Sequence, residues 1–219
     1  MTLFRVDASI RTDGSHSREL ADVVEQEWRQ THPGDAVERR QLGVDVLPAD
    51  AWAHAVAGSY VAAADRSPEQ SAAVALAAEL VDELLAADAV LLAVPLYNFG
   101  VSQHIKTYFD LIMTDRRALG GPSPLLDGKP VVLVTVRGGA YGAGTPRAGW
   151  DHSTPYLCRV LADVWGADLT VVEREFTLVG VNPALDEFAG LAAVTHVEAL
   201  DAAHAAGVRL VGTLVAAGR

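Results

Sequence analysis

The stretch AVLLAVPLYNFGVSQHIKTYFDLIM, from Ala89 to Met113, decides how this chain folds. Its first six residues are apolar at every position, with none of the alternation of a strand that has one wet face. A strand of that kind is buried on both sides and belongs to a parallel sheet covered by helices. Ile105, Tyr108, Phe109 and Ile112 then recur at helical spacing. Between the two elements Tyr97, Asn98 and Phe99 stand at the strand's mouth, where Asp, Ser or Gly is the ordinary choice.

The same pattern repeats outward from there. PVVLVTV from Pro130 predicts a second doubly buried strand, and LFRVDAS from Leu3 a short first one. Leu20, Val23, Val24 and Trp28 mark a helix that Pro33-Gly34 ends. AVERRQL from Ala36 alternates imperfectly and is a weaker strand candidate. Ser67-Pro68-Glu69-Gln70 is a capping box with proline at the first helical position, and its helix runs to about Ala87. A further helix is expected over Pro155 to Trp165, and LTVVEREF from Leu169 suits an edge strand. Asn182-Pro183 is expected to open a long last helix that Gly207 interrupts. Its tail VRLVGTLVAAGR fits helix or strand, and Leu47 to Arg66 shows no clear pattern.

Strands alternating with helices predict an α/β fold: a doubly wound, five-stranded parallel sheet in the order 2-1-3-4-5, as one domain over residues 1–219. Ligands of such a sheet sit beyond the carboxyl ends of the strands, at the switch point between the first and third.

Composition bounds the partners. Half of the 219 residues are hydrophobic, and 17 basic against 28 acidic side chains leave a net charge of −11, which disfavours nucleic acid or an anionic membrane as the main partner. Cys158 is the only cysteine, so no internal disulfide forms and a reducing compartment is expected. MTLFRVDAS lacks the basic and then apolar pattern of a signal peptide, and no apolar run reaches membrane-spanning length. A cytoplasmic protein is expected. The scattered histidines, without H-E-x-x-H or C-x-x-C, predict no metal site.

On this topology three loops share the ligand edge: Ser9 to Ser17, Pro95 to Ser102 and Arg137 to Gly144. The first, SIRTDGSHS, offers the hydroxyls of Ser9, Ser15 and Ser17 ahead of a helix whose free N–H groups favour a phosphate. The same serines also serve as ordinary N-caps. Neither a Rossmann nor a P-loop fingerprint is present, and no G-x-S-x-G marks a hydrolase. Tyr97, Asn98 and Phe99 offer flat apolar walls and one amide, or else pack beneath a neighbouring loop. RGGAYGAG places the N–H groups of Gly138 and Gly139, and the charge of Arg137, where a ring carbonyl can turn negative on reduction; such a loop is equally an ordinary surface turn. Together the three suit a flavin mononucleotide.

YNFGVSQHIKTYFDLI (Tyr97 to Ile112), RGGAYG at Arg137, Ser9 with SHS at Ser15 to Ser17, and TPYL at Thr154 resemble the FMN-dependent NADH-azoreductases, also described as NAD(P)H:quinone oxidoreductases. The resemblance spans nearly the whole chain and implies a flavodoxin-like homodimer with one FMN per subunit, each site completed by the other subunit. It implies that Ser9, Ser15, His16 and Ser17 hold the phosphate and ribityl chain, and that Pro95, Leu96, Tyr97, Asn98 and Phe99 line the flavin. Val136, Arg137, Gly138 and Gly139 would lie at the ring. The reaction implied is ping-pong transfer of two electrons from NADH or NADPH to quinones, azo compounds or nitro aromatics. Asn98 is the candidate catalytic residue, polarising the ring edge, with Tyr141 and His152 at the substrate-pocket rim; solvent supplies protons as readily as His152.

Four departures are visible. Leu96 replaces the family's usual methionine and Val136 its usual serine; Asp115 to Lys129 is short and lacks covering aromatics; and Asp163 and Trp165 stand where apolar pocket residues are expected. Two rival readings remain at this level: a flavodoxin-like electron carrier without substantial NAD(P)H oxidation, and a fold whose flavin site has decayed.

Overall fold

The computed structural model describes residues 1–120 and 122–216. Its strands are β1 (Thr2–Asp7), β2 (Ala36–Gln41), β3 (Ala89–Pro95), β4 (Pro130–Val136) and β5 (Asp168–Arg174). All pair in parallel in the order β2-β1-β3-β4-β5, as the alternation of elements predicts. The helices are α1 (His16–Thr31), α2 (Ala51–Ser59), α3 (Pro68–Ala86), α4 (Gln103–Ile112), α5 (Thr154–Cys158) and α6 (Ala189–Ala216).

Strand pleating sorts β3 between two cores. Val90, Leu92 and Val94 join the cluster beneath α2, α3, α4 and α5, while Ala89, Leu91 and Ala93 join the one beneath α1 and α6. Every residue of β3 and β4 is buried, which is why neither alternates in sequence. β2 is the exposed edge, stitched by Arg40 to Glu79 and Glu83 of α3. Arg5 is buried on the α1 face of β1, where Asp7, Asp22 and Glu25 surround its guanidinium. Burial alone disfavours that charge; these carboxylates outweigh it and leave the group harder to deprotonate than usual.

Several expectations need correction. The helix over Pro155 to Trp165 is a short α5 running into a wider π turn, Arg159–Val164. Asn182 accepts from the Ala184 N–H and opens a 3-10 turn, Pro183–Phe188, before α6 starts. Gly207 does not interrupt α6. A Cβ there would lie 2.7 Å from Glu27 Cβ and 3.2 Å from the Val24 carbonyl oxygen, so the glycine marks where α1 presses against α6. The ambiguous tail is helical to Ala216; residues 217–219 lie outside the described residues. The segment Leu47 to Arg66 holds α2 and a 3-10 turn, Ala63–Asp65.

Trp165 and Asp163 do not line a pocket. Trp165 is fully buried in the core, its indole N–H donating to the Ala118 carbonyl, 3.0 Å away. Asp163 pairs with Arg159 at the surface, 2.6 Å away. The short segment after α4 packs Leu125 and Leu126 beneath it.

Candidate functional site

Because the strands are parallel, their carboxyl ends share one edge, and the loops after β1, β3, β4 and β5 meet there. They enclose a cavity of about 300 Å³. Of the expected site residues, Ser9, Ser15, His16, Ser17, Pro95, Leu96, Tyr97, Asn98, Phe99, Val136, Gly138 and Tyr141 line it. Arg11, Gly14, Arg147, Thr177 and Leu178 complete the wall.

The loop after β1 keeps donors free. Ser15 is the N-cap residue of α1, yet its side chain caps no amide and its Oγ lies 3.3 Å from Ser17 Oγ. The first-turn N–H groups of a 16-residue helix are thus left without a side-chain cap at the cavity wall. Ser9 Oγ lies 3.3 Å from the Tyr97 hydroxyl, tying this loop to the one after β3. Arg174 of β5 donates to His16 Nδ1 over 3.1 Å. The same ring nitrogen lies 3.4 Å from Glu19 Oε2, so His16 stands between a guanidinium and a carboxylate. Glu19 receives the same Arg174 at 2.9 Å and His196 of α6 at 2.8 Å. Burial works against the Glu19 charge, but these histidines and Arg174 hold its carboxyl below the usual range.

After β3 the backbone turns sharply. The Gly100 N–H donates to the Tyr97 carbonyl, closing a turn whose central residues Asn98 and Phe99 have φ of 49° and 68°. Such values are rare outside glycine, and strain of this kind clusters at functional sites. The Asn98 amide has no partner within the described chain. Phe99 meets Tyr141 at 6.4 Å and the edge of Trp150 at 5.6 Å, forming an aromatic corner at the cavity mouth. Ser102 sits at the N-cap of α4, but its buried hydroxyl has no partner and caps nothing.

The segment after β4 differs from expectation at Arg137, Gly139 and His152. Arg137 does not reach the cavity. Its guanidinium turns to Asp151 at 2.6 Å, to Glu173 and to the Thr154 hydroxyl at 3.1 Å. Two or more carboxylates within reach outcompete an open pocket for one buried cation. Burial disfavours the Arg137 charge, and Glu173 and Asp151 overcome that and raise its affinity for the proton. Asp151 in turn accepts from the N–H groups of Ser153 and Thr154, so Arg137 fastens the start of α5. Gly138 is needed for a neighbour: a Cβ there would lie 2.5 Å from Leu178 Cδ1. The carbonyls of Gly138 and Gly139 accept from Leu178 and Phe176, while their own N–H groups bond nothing in the described chain. Gly139 is buried behind the wall, and His152 is exposed outside it, its N–H supporting the Phe99 carbonyl at 2.9 Å.

Thr177 and Leu178 escaped the sequence reading because only three loops were followed, although the loop after β5 ends at the same edge. Arg11, Arg147 and Trp150 carried no local pattern. Among the described residues no group of three His, Cys, Asp or Glu is placed to hold a metal, and no helix is long and apolar enough to cross a membrane. The Cys158 thiol is pushed up by burial, then by Glu173 and Asp151, which suits a packing residue rather than a nucleophile.

The chain is similar to known proteins over nearly its whole length. A family described by its flavodoxin-like fold matches residues 1–202. A relative from Frankia casuarinae, an FMN-dependent NADH:quinone oxidoreductase, is 39% identical over 203 residues, 92% of this chain and 96% of its own. The chain belongs to this flavodoxin-like oxidoreductase family. Two solved members of the fold come from Bacillus anthracis. An azoreductase superposes with a TM-score of 0.77 at 23% identity, covering 94% of this chain and 99% of its own. An FMN-dependent NADH-azoreductase in complex with FMN gives 0.69 at 20% identity, covering 93% and 98%. At such identities the structures establish the fold alone. In this member of the family the serine cradle, the aromatic turn and Gly138 all line one cavity.

Proposed function

We propose that this protein is an FMN-dependent oxidoreductase that passes two electrons from NADH or NADPH to flat, electron-poor acceptors, quinones and azo or nitro aromatics, by a ping-pong route. One observation carries the reading: hydroxyls and uncapped amides, an aromatic turn and Gly138 with its unpaired N–H, from separate loops, line a single cavity. The donor set fits FMN. Ser9, Ser15, Ser17 and the first amides of α1 would hold its phosphate. Leu96, Tyr97 and Phe99 would wall the ring, and Gly138 N–H would face a ring carbonyl. When bound, FMN would supply the redox chemistry, accepting a hydride and delivering two electrons and a proton.

The chain's own part is to bind, orient and exclude water. The left-handed turn places Asn98 at the cavity wall, where its amide would orient and polarise the ring edge. Leu178 and Val136 add apolar wall. Protons come from solvent, since His152 stands outside the cavity. The assembly is a cytoplasmic homodimer of a single domain, residues 1–219; exposed Trp52, Tyr60, Val194 and Val197 leave apolar surface for a second copy.

Anaerobic mixing of the purified, FMN-loaded protein with NADH tests the reading. Prompt bleaching of the yellow band supports the enzyme. A lasting colour favours an electron carrier, and failure to take up FMN removes the assignment.

A further inference from the structure

The cavity wall has an unusual charge balance for so acidic a chain. Among the described residues no Asp or Glu lines it, yet two arginines do, Arg11 and Arg147. Neither has a carboxylate of the described residues within 4.0 Å, whereas most arginines of this chain are tied to one. The two stand on different loops. Arg11 belongs to the serine loop, beside the donors suited to a phosphate. Arg147 belongs to the loop after β4, across the opening.

Arg147 is placed by rings. Its guanidinium lies 5.9 Å from the Phe99 ring centre and 5.8 Å from that of Tyr141, and its N–H group reaches the Tyr141 hydroxyl at 3.4 Å. Stacking on two rings orders the side chain without neutralising it. The cation therefore sits at the aromatic corner of the mouth with its hydrogen-bonding capacity largely unspent. A net charge of −11 repels anions from the molecule as a whole, so an unpaired cation at the mouth changes which molecules can enter.

We propose that Arg147 selects anionic aromatic acceptors: quinones or azo compounds that carry a carboxylate or sulfonate on the ring. This rests on the oxidoreductase reading above. A flat acceptor stacked at the Phe99 corner brings a substituent on its own ring directly beneath the guanidinium. NADH carries its charges on a diphosphate, separated from the nicotinamide by a ribose, and is a poorer match to a cation seated on the ring wall. The charged group binds in both states of the acceptor, so the gain is expected in KM rather than kcat.

The test isolates the oxidative half-reaction. FMN-loaded protein, photoreduced without oxygen, is mixed with a naphthoquinone sulfonate or with the unsubstituted naphthoquinone, so that NADH plays no part. The readout is the ratio of the two second-order reoxidation rate constants. Arg147→Gln lowers the sulfonate-to-neutral ratio by about tenfold, the size of one partly exposed charge-assisted contact. Arg147→Lys, which keeps the charge but loses the fork, restores part of it. Arg116→Gln removes an equal charge from an exposed site at the far end of α4 and leaves the ratio unchanged. Added salt lowers the wild-type ratio toward that of Arg147→Gln. A ratio indifferent to Arg147→Gln, or equally reduced by Arg116→Gln, overturns the proposal. So does a variant that slows only flavin reduction by NADH, which would assign Arg147 to the donor. Protein that never takes up FMN fails earlier, at the oxidoreductase reading itself.

Discussion

Asn98 and Phe99 hold a conformation that most side chains avoid, and they do so at the mouth of the cavity rather than in the core. Asparagine tolerates positive φ better than alanine, because its short polar side chain supports the local turn. Phe99 is 42% exposed, so packing alone gives little reason to keep an aromatic there. A ring wall for a flat ligand gives one. Replacing Asn98 by alanine is expected to slow flavin reduction by NADH about tenfold, the loss of one solvent-exposed hydrogen bond worth about 1.4 kcal/mol. The FMN content per chain should stay close to wild type, since phosphate and ring walls are untouched. Stopped-flow absorbance of the loaded variant against wild type measures the first quantity, and the spectrum of the purified protein the second. An unchanged rate at equal FMN content would remove Asn98 from the reaction.

At the scale of elements, the contact between α1 and α6 rests on Gly207. Exposed helix positions usually gain about 1 kcal/mol when glycine becomes alanine. Here the new methyl would meet the Glu27 side-chain stem and the Val24 carbonyl, neither of which can swing aside cheaply. Overpacking of this kind costs about 1–3 kcal/mol and exceeds the propensity gain. Gly207→Ala should therefore lower Tm by roughly 2–6 °C in a chain of this size, read by calorimetry. A higher Tm would show that the helices separate freely. The wide π turn after α5 has a visible consequence too: it delivers Trp165 into the core, where its N–H finds the Ala118 carbonyl.

Across the whole molecule, buried or half-buried carboxylates are held by arginines. Burial opposes the charge of Glu25, but Arg39, Arg29 and Arg5 prevail and its carboxyl lies below the usual range. Asp151 is lowered despite its burial by the Thr154 and Ser153 amides, the Thr154 hydroxyl and Arg137. A depressed folded-state value means that the unfolded chain binds protons first as pH falls. The stability these groups supply is therefore fully present above the unfolded carboxylate range, about pH 4, and is lost as pH drops through their folded values. Thermal unfolding should give a Tm nearly constant from pH 7 to 5 and falling steeply below 4. Asp151→Asn should flatten part of that fall while lowering Tm at pH 7, because Arg137 loses one of its carboxylate partners. A wild-type Tm unchanged down to pH 3 would contradict the assignment.

The sequence by itself determined the architecture. Ala89 to Val94 and Val131 to Val136 are buried on both faces, so their nearly unbroken apolarity predicts central parallel strands, and the alternation of elements suits the strand order observed. It also determined which loops meet, because parallel strands end at one edge wherever their side chains go. Tyr97, Asn98, Phe99 and the serine loop were legible for that reason. What only the tertiary structure decided is where long and charged side chains turn. Arg137 has Gly138 and Gly139 as neighbours in sequence but Asp151, Glu173 and Glu175 as neighbours in space, and the nearest carboxylates claimed it. Arg147, with no carboxylate in reach, was left on the rings of Phe99 and Tyr141. Gly207 looked like a helix breaker until α1 supplied the atoms that require it. Periodicity records how each segment meets the solvent; the fate of a single cation or glycine is set by contacts many residues away, which a local pattern does not contain.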